Sequence, residues 1–215
     1  MSMKGILNSI WGKPIRDSDP IYPPMASSSS SLSSTLLYSY DVFPSFSGQD
    51  VRRTFLSHFL QGLKNKGIKT FVDNGIMRSE SINSELKRAI RESRIAVVIL
   101  TKNYASSSWC LNELQLIMKC RVSLGQTVMP IFYDVEPSDV RNQTGEFGRA
   151  FKENCYGKID KKEQKWRLAL TQVAAIAGEH SVSWYCSFHF FICHRFCLLI
   201  FSLVIKCFQN LIAKQ

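Results

Sequence analysis

The sequence predicts an α/β protein in which a parallel, doubly wound sheet is flanked by helices. Residues 95–100 (IAVVIL) form a continuous aliphatic run, which is typical of a strand buried on both faces of a parallel sheet. Strand-like segments alternate with helix-like segments along most of the chain, as in β-α units. With 45% apolar and 20% charged residues, the composition indicates a globular domain.

Residues 38–46 (YSYDVFPSF) read as the first strand. Because Pro44 cannot donate to a ladder, we expect the regular strand to end near Phe43. The next helix is predicted over residues 51–66, and Gly67 is expected to end it as a C′ glycine. Its apolar stripe consists of Phe55, Phe59 and Leu63.

Residues 68–72 (IKTFV) predict the second strand, and the polar loop 73–81 follows it. A helix over 82–92 then places Leu86 and Ile90 toward the core. Residues 127–133 (TVMPIFY) predict a later strand, in which Pro130 indicates an irregularity. The remaining predicted elements are a loop with short helical turns over 134–143 and helices over 145–154 and 161–177, the last with Trp166, Leu170, Val173 and Ile176 on one side.

The stretch Ser106 to Leu116 (SSSWCLNELQL) follows the buried strand and opens a helix. Ser107 or Ser108 is the expected N-cap, because a serine hydroxyl can accept from the first free amides. Trp109 and Glu113 are four residues apart and therefore share one helix face. Open α/β sheets bind ligands outside the carboxyl ends of their strands, so we expect Glu113 to face a cleft. The alternative is a solvated glutamate favoured by the helix dipole. The buried face of this helix is predicted to hold Leu111, Leu114, Ile117 and Met118.

The formal net charge of +10 is not concentrated in a basic block, and no array of base-stacking aromatic residues accompanies it. Nucleic acid binding is therefore not indicated, whereas an anionic dinucleotide or an acidic partner would suit a basic face. The seven cysteines are an odd number without a framework spacing. Together with the lack of a secretion signal, this favours reduced thiols and a cytoplasmic protein, with access to the nucleus as a further expectation.

The sequence divides into three parts. Residues 1–37 form a Pro- and Ser-rich leader for which we expect disorder, and Met25 offers an alternative translation start. The folded domain is predicted over residues 38–181. Residues 182–215 form an aberrant apolar tail without acidic residues.

Three interpretations of the tail remain open. It could be non-coding sequence read in frame, it could replace a final helix, or it could associate with a membrane. Arg195 and Lys206 leave only residues 196–205 between them, about half of the ~20 apolar residues that a membrane-spanning helix needs. The Cys and His residues at positions 186, 189, 193, 194 and 197 fit no paired zinc-ligand spacing, so we expect no metal site.

Five ordered motifs resemble one known family. They are YDVFPSFSGQDVRRTFLSHF, GIKTFVDN, SSSWCLNEL, TVMPIFYDVEPSDVRNQTGEF and KWRLALTQVAAIAG. In this order, from about Tyr38 to Trp184, they are similar to the plant Toll/interleukin-1 receptor (TIR) domain of intracellular disease-resistance receptors. The resemblance implies a flavodoxin-like fold with a five-stranded parallel sheet, with the last strand and helix in doubt because the tail departs from the family.

The resemblance also implies an activity. Self-associated plant TIR domains hydrolyse NAD⁺ or NADP⁺ at the nicotinamide-ribose bond, and the products act as immune signals. The family's catalytic glutamate lies in the motif that reads WCLNEL here, which makes it Glu113. Cleaving this N-glycosidic bond builds positive charge on the ribose, and a fixed carboxylate can stabilise that charge. No permanently bound cofactor is implied.

Further positions carry over from the family as nucleotide contacts. Where the family usually reads SFRGED-R, this chain has Ser47 in place of the arginine and Gln49 in place of the glutamate. The lost arginine removes a bidentate phosphate donor, which weakens the case for nucleotide binding or leaves Arg52 to serve alone. The expected set is Ser45, Phe46, Ser47, Gly48, Asp50, Arg52, Arg78 and Trp109.

Ser57 and His58 match the Ser-His pair that plant TIR domains use on their first helix for self-association. The expected partners are therefore other TIR domains and a second copy of this chain. Two functions follow: an NAD⁺ nucleosidase in plant innate immunity, or a non-catalytic TIR–TIR adaptor or decoy. The intact WCLNEL motif favours the first, whereas Ser47, Gln49 and the tail favour the second. Because no GxxxxGK[ST] loop or leucine-rich repeat is present, we expect a TIR-only protein.

Overall fold

The computed structural model describes residues 38–51, 55–72, 82, 84–157 and 159–180, together with 202, 204–206 and 209. Helices alternate with strands along this part of the chain, as predicted. The elements are β1 (Tyr40–Phe46), α1 (Gly48–Val51), α2 (Phe55–Asn65), α3 (Ser84–Arg91), β2 (Ser93–Leu100), a 3₁₀ turn (Tyr104–Ser106), α4 (Ser108–Leu124), β3 (Thr127–Phe132), α5 (Pro137–Asn142), α6 (Gly145–Cys155), α7 (Asp160–Val173) and β4 (Glu179–His180).

The strands form one parallel sheet in the order β1-β2-β3-β4. Ile95 of β2 lies between Val42 of β1 and Thr127 of β3 in the register. β4 is short and pairs Glu179 and His180 with the end of β3. This α/β arrangement confirms the predicted fold class, and it places the carboxyl ends of all four strands at one edge.

The first strand is longer than predicted, because β1 continues through Pro44 to Phe46. Neighbouring residues of a parallel strand direct their backbone groups to opposite sides. Val42 donates to the Lys69 carbonyl and accepts from Phe71, both on the side away from β2. Pro44 lies two residues later and faces the same side, so its missing N–H removes no bond from the ladder with β2. The expected end near Phe43 is therefore wrong.

The predicted second strand is reduced to an isolated bridge between Thr70 and Val42. Residues 68–72 run beside β1 with backbone bonds at both ends of this bridge, but they form no longer ladder. Among the described residues the sheet therefore has four strands, where five were predicted. The bridge places this segment outside β1, so that β1 is an inner strand over part of its length.

The core consists of two clusters, one on each face of the sheet. Alternate residues of β2 contribute to opposite clusters, because successive side chains of a strand point to opposite faces. One cluster contains Ala96, Val98 and Leu100 together with buried residues of α3, α4, α6 and α7. The other contains Ile95, Val97 and Ile99 together with buried residues of α2. The apolar stripe predicted for α2 is buried at Phe59 and Leu63, whereas the Phe55 side chain is not among those that the structure describes.

A small part of the tail belongs to the second cluster. Residues 204–206 are helical, Val204 is fully buried in this cluster and Ile205 packs against it, while Lys206 is exposed. Among the described residues, no helix is both long and apolar enough to cross a membrane. Apart from residues 202 and 209, the rest of the tail lies outside the described part of the chain, as does the leader over residues 1–37.

Candidate functional site

The start of α4 lies against the carboxyl end of β1, and its caps explain where it begins and ends. The Ser107 side chain accepts a hydrogen bond from the Cys110 backbone N–H at 3.3 Å, which identifies Ser107 as the N-cap. At the other end, Gly125 adopts φ 69°, a left-handed conformation that glycine adopts without steric cost. The predicted buried face is confirmed at Leu111, Leu114, Ile117 and Met118.

Glu113 is held by hydrogen bonds on both carboxylate oxygens. The Trp109 indole Nε1–H donates to Oε1 at 2.5 Å, and the Ser45 hydroxyl donates to Oε2 at 2.7 Å. Glu113 is only 6% exposed, so the alternative prediction of a solvated surface glutamate is wrong. A buried carboxylate is costly unless it is hydrogen-bonded, and here neighbours from β1 and α4 supply that stabilisation.

Trp109 has two roles in this arrangement. Its ring is 5% exposed and packs in the first core cluster, while its indole nitrogen contacts Glu113. The predicted proximity of Trp109 and Glu113, four residues apart on one helix face, is therefore confirmed as a direct hydrogen bond. Ser45 lies at the end of β1, 68 positions from Glu113, and is fully buried. Both residues were predicted as nucleotide contacts, and the structure brings both to the catalytic candidate itself.

Tyr104, in the 3₁₀ turn before α4, is a site residue that the sequence analysis missed. Its hydroxyl lies 2.8 Å from Ser45 Oγ and 3.1 Å from the Cys110 carbonyl oxygen, and the residue is fully buried. Burial raises the pKa of Tyr104 well above its ordinary value, and the nearby Cys110 and Glu113 act in the same direction. The phenol therefore stays protonated at neutral pH. A buried tyrosine usually needs a partner for its hydroxyl, but its burial is seen only in the structure, so no sequence signal identified it.

The loop after β1 supplies the next predicted nucleotide contacts. Ser47 is 5% exposed, whereas Phe46, Gly48 and Asp50 are half-buried. The Asp50 carboxylate accepts hydrogen bonds from the Thr101 hydroxyl and from Asn103 Nδ2, the latter at 2.9 Å. Asp50 therefore connects the loop after β1 to the loop after β2 at the carboxyl edge of the sheet.

Two of the expected nucleotide contacts, Arg52 and Arg78, lie outside the described residues, as does the loop 73–81. The Cys and His residues of the tail that were weighed as zinc ligands lie outside it as well. Within the described residues, no group of three or more His, Cys, Asp or Glu side chains is arranged to hold a metal ion.

The predicted association residues lie on α2, on the opposite face of the sheet from the Glu113 site. Ser57 and His58 are both exposed, while their neighbours Leu56 and Phe59 are buried in the second core cluster. The exposed side of α2 thus carries Ser57, His58 and Gln61.

A family model described as TIR domain matches residues 39–192 of this chain. Among curated proteins of Arabidopsis thaliana, the probable disease resistance protein RPP1 is 59% identical over 147 residues, which is 68% of this chain and 12% of RPP1. Disease resistance protein RPS6 is 58% identical over 160 residues, covering 74% of this chain and 14% of RPS6. The chain thus spans about an eighth of the length of these relatives.

A solved structure agrees with the sequence matches. The TIR domains of the activated Roq1 resistosome, which directly recognises the pathogen effector XopQ, superpose with a TM-score of 0.65 at 42% identity. The match covers 82% of this chain and 99% of the Roq1 chain. With a buried glutamate in the WCLNEL motif, a parallel sheet and a family match over more than half of its residues, this chain belongs to the TIR domain family.

Proposed function

We propose that this TIR domain takes part in plant defence signalling as an NAD⁺ nucleosidase, with Glu113 as its catalytic group. The observation that carries the proposal is the buried Glu113 carboxylate, which accepts a hydrogen bond on each oxygen at the start of α4. NAD⁺ or NADP⁺ is the proposed substrate, no permanently bound cofactor is required, and the cytoplasm is the proposed location. The defence role is supported by the disease resistance proteins that share this domain.

The chemistry requires a fixed negative charge. When the bond between nicotinamide nitrogen and ribose C1′ breaks, its electron pair leaves with nicotinamide, which becomes neutral. The ribose then carries the positive charge of an oxocarbenium-like transition state until water adds and a proton is released. A carboxylate whose donors are already in place needs no reorganisation to stabilise that charge. The hydrogen bonds from Trp109 and Ser45 supply this preorganisation.

The remaining nucleotide contacts are proposed from the position of the loop after β1. Phe46, Gly48 and Asp50 lie at the carboxyl edge of the sheet and are partly exposed. We assign the phosphates to Arg52 and Arg78, because guanidinium groups bind phosphate oxygens in bidentate geometry. Ser47, which stands where the family usually has arginine, adds no cation there.

Self-association is proposed to control the activity. The exposed face of α2 with Ser57 and His58 offers a surface for a second TIR domain. The similarity to TIR domains of an activated resistosome supports an assembly of this kind. An assembly can order loops at the site from a neighbouring copy, which would make turnover depend on protein concentration.

The proposal is tested by following nicotinamide release from NAD⁺ and from NADP⁺, with purified protein at high concentration or under crowding. Glu113→Gln keeps the side-chain shape and removes the charge, so we expect at least a ~100-fold loss of kcat. Glu163→Gln is the matched control, since Glu163 lies at the surface of α7 and pairs with Arg167. Unchanged turnover in Glu113→Gln, or no turnover from a folded and self-associating wild-type protein, would contradict the catalytic role.

A non-catalytic TIR–TIR adaptor or decoy is the second candidate. It is favoured by Ser47 and Gln49, which replace charged residues in the loop after β1. This function requires association without turnover. Light scattering of the wild-type protein and of Ser57→Ala/His58→Ala would decide it: the adaptor needs an assembly that the double substitution dissolves, in a protein that leaves NAD⁺ intact.

A further inference from the structure

A continuous chain of polar groups, each within hydrogen-bonding distance of the next, crosses the site from one end to the other. It begins at the Cys110 carbonyl, passes through the Tyr104 and Ser45 hydroxyls, and reaches Glu113, whose other oxygen contacts Trp109. Ser45 comes from β1, Tyr104 from the 3₁₀ turn, and the other three residues from α4. Tyr104 and Ser45 are both 0% exposed, so bulk water does not compete for their hydroxyl groups.

The two hydroxyl groups bring only two protons to this chain. When Glu113 is ionised, the Ser45 proton is used in the bond to Oε2. Ser45 Oγ can then only accept, so the 2.8 Å contact with Tyr104 is a hydrogen bond only if Tyr104 donates. The phenol has one proton and two acceptors within reach, and Ser45 Oγ at 2.8 Å is nearer than the Cys110 carbonyl oxygen at 3.1 Å, which therefore competes for the same proton. The phenol keeps its proton, because burial holds its pKa well above the ordinary value.

The Tyr104 hydroxyl is not needed to fill space. Tyr104 packs in the first core cluster, where a phenylalanine ring would occupy the same apolar volume. Burying a hydroxyl is costly unless it finds partners, and this one has two, the Cys110 carbonyl oxygen and Ser45 Oγ, of which Ser45 leads to Glu113.

We propose that Tyr104 is a positioning residue for Glu113: by donating to Ser45 it holds the Ser45 hydroxyl as a donor to Oε2 and so fixes the plane of the carboxylate. Tyr104 reaches Glu113 through Ser45, and it contacts neither the substrate nor the reacting atoms. Its effect on turnover rests on the proposed nucleosidase function, whereas its effect on the position of the carboxylate does not.

The position of the carboxylate can be followed without any activity. The Trp109 indole N–H donates to Glu113 Oε1, so its ¹H–¹⁵N resonance reports on that oxygen. The chain has four tryptophans, and Trp109→Phe assigns the resonance by its disappearance. We expect Tyr104→Phe to shift the Trp109 indole resonance in the wild-type background and to leave it in place once Ser45→Ala has broken the chain. Tyr133→Phe is the matched control, since its ring packs against the second core cluster, and it should leave the resonance unchanged.

The kinetic arm compares wild type, Tyr104→Phe, Ser45→Ala and the double variant. We expect Tyr104→Phe to lower kcat roughly tenfold with KM unchanged, a smaller loss than the ~100-fold that a 1 Å misplacement can cause. In the Ser45→Ala background, Tyr104→Phe should have no further effect, because its route to Glu113 is already lost. Ser45→Thr, which restores the hydroxyl, should recover most of the activity.

Two results would overturn the proposal. One is a Trp109 indole resonance that does not respond to Tyr104→Phe. The other is a response, in the spectrum or in kcat, that is equally large with and without Ser45. If the wild-type protein does not cleave NAD⁺, the proposed function fails, and the indole resonance alone still decides whether Tyr104 positions Glu113.

Discussion

At the scale of single residues, Trp109 combines packing with a hydrogen bond, and substitution can separate the two. Trp109→Phe keeps an aromatic ring in the core and removes the donor to Glu113 Oε1. We expect kcat for NAD⁺ cleavage to fall by about tenfold or more, because a hydrogen bond to a charged group contributes ~1.5–3 kcal/mol. Steady-state kinetics at high protein concentration measures the loss.

Trp166→Phe provides the control for this experiment. Trp166 is also buried, and its indole donates to Asn112 Oδ1 at 2.9 Å on the α7 side of α4. Both variants should lower the free energy of unfolding by roughly 1–3 kcal/mol. Only Trp109→Phe should also lower kcat, and an equal kinetic loss in both would assign the effect to stability instead.

Cys120 makes a residue-scale contribution to the pH dependence of stability. Burial raises the pKa of its thiol to about 11, compared with 9.0 for an ordinary cysteine. Between pH ~9 and pH ~11 the Cys120 thiol is deprotonated in the unfolded chain but stays protonated in the folded chain. The stability that this thiol contributes is therefore fully present below pH ~9 and is lost as the pH rises toward 11. The loss expected from this group is roughly 2 kcal/mol at pH 11.

Urea unfolding of wild type and Cys120→Ala at pH 8 and at pH 10.5 tests this expectation. Tyrosines and lysines titrate in the same range, so only the difference between the two proteins isolates the thiol. Cys120→Ala should be less stable at pH 8 because it leaves a cavity, but it should lose less stability than wild type on going to pH 10.5. Parallel losses in the two proteins would refute the contribution of Cys120.

At the scale of elements, α4 depends on its N-cap. Ser107→Ala removes the acceptor for the Cys110 N–H and should lower the free energy of unfolding by about 1 kcal/mol. Ser123→Ala is the matched control in the same helix, because its exposed hydroxyl donates to the Lys119 carbonyl and should contribute less than ~0.5 kcal/mol. Urea denaturation measures both, and equal losses would mean that the cap does not stabilise the helix.

The same helix shows which parts of the site a sequence can predict. The N-cap, the buried stripe and the contact between Trp109 and Glu113 depend on residues within one or two turns of each other, so local patterns predict them. The bond between Ser45 and Glu113 joins residues 68 positions apart, and that between Ser45 and Tyr104 joins residues 59 apart. No local pattern contains such a relation, which appears only after the sheet has brought β1 beside α4.

The strands were predicted less well than the helices for a related reason. Pro44 was expected to end β1, but whether a proline disrupts a strand depends on which neighbour its nitrogen faces. In this sheet that side belongs to the short bridge at Thr70 rather than to β2. For the same reason, the β-rich composition of residues 68–72 did not predict how little of that segment pairs.

At the scale of the whole molecule, the two core clusters separate the Glu113 site from the surface of α2 that is proposed for association. The first cluster includes Trp109, which donates to Glu113, and Tyr104, which contacts Glu113's partner Ser45. The second lies beneath α2, whose exposed side carries Ser57 and His58. Substitutions in the second cluster should therefore lower stability and association more than they disturb the Glu113 site.

Val204 gives that cluster a contact from the tail. It is fully buried and packs in the cluster that includes Phe59 and Ile131, whereas Lys206, two residues later, is exposed. This packing favours the interpretation in which the tail covers the sheet in place of a final helix. If so, Val204→Asp places a charge in an apolar core and should lower the free energy of unfolding by at least ~2 kcal/mol.

Lys206→Asp introduces the same side chain at an exposed position and should change stability by less than ~0.5 kcal/mol. Urea unfolding of both variants and of wild type measures the difference. Val204→Asp should also expose part of the apolar surface under α2. Light scattering should therefore show aggregation that rises more steeply with protein concentration than in wild type. If Val204→Asp unfolds like Lys206→Asp, the tail does not contribute to the core, and the domain is stabilised by residues 38–181 alone.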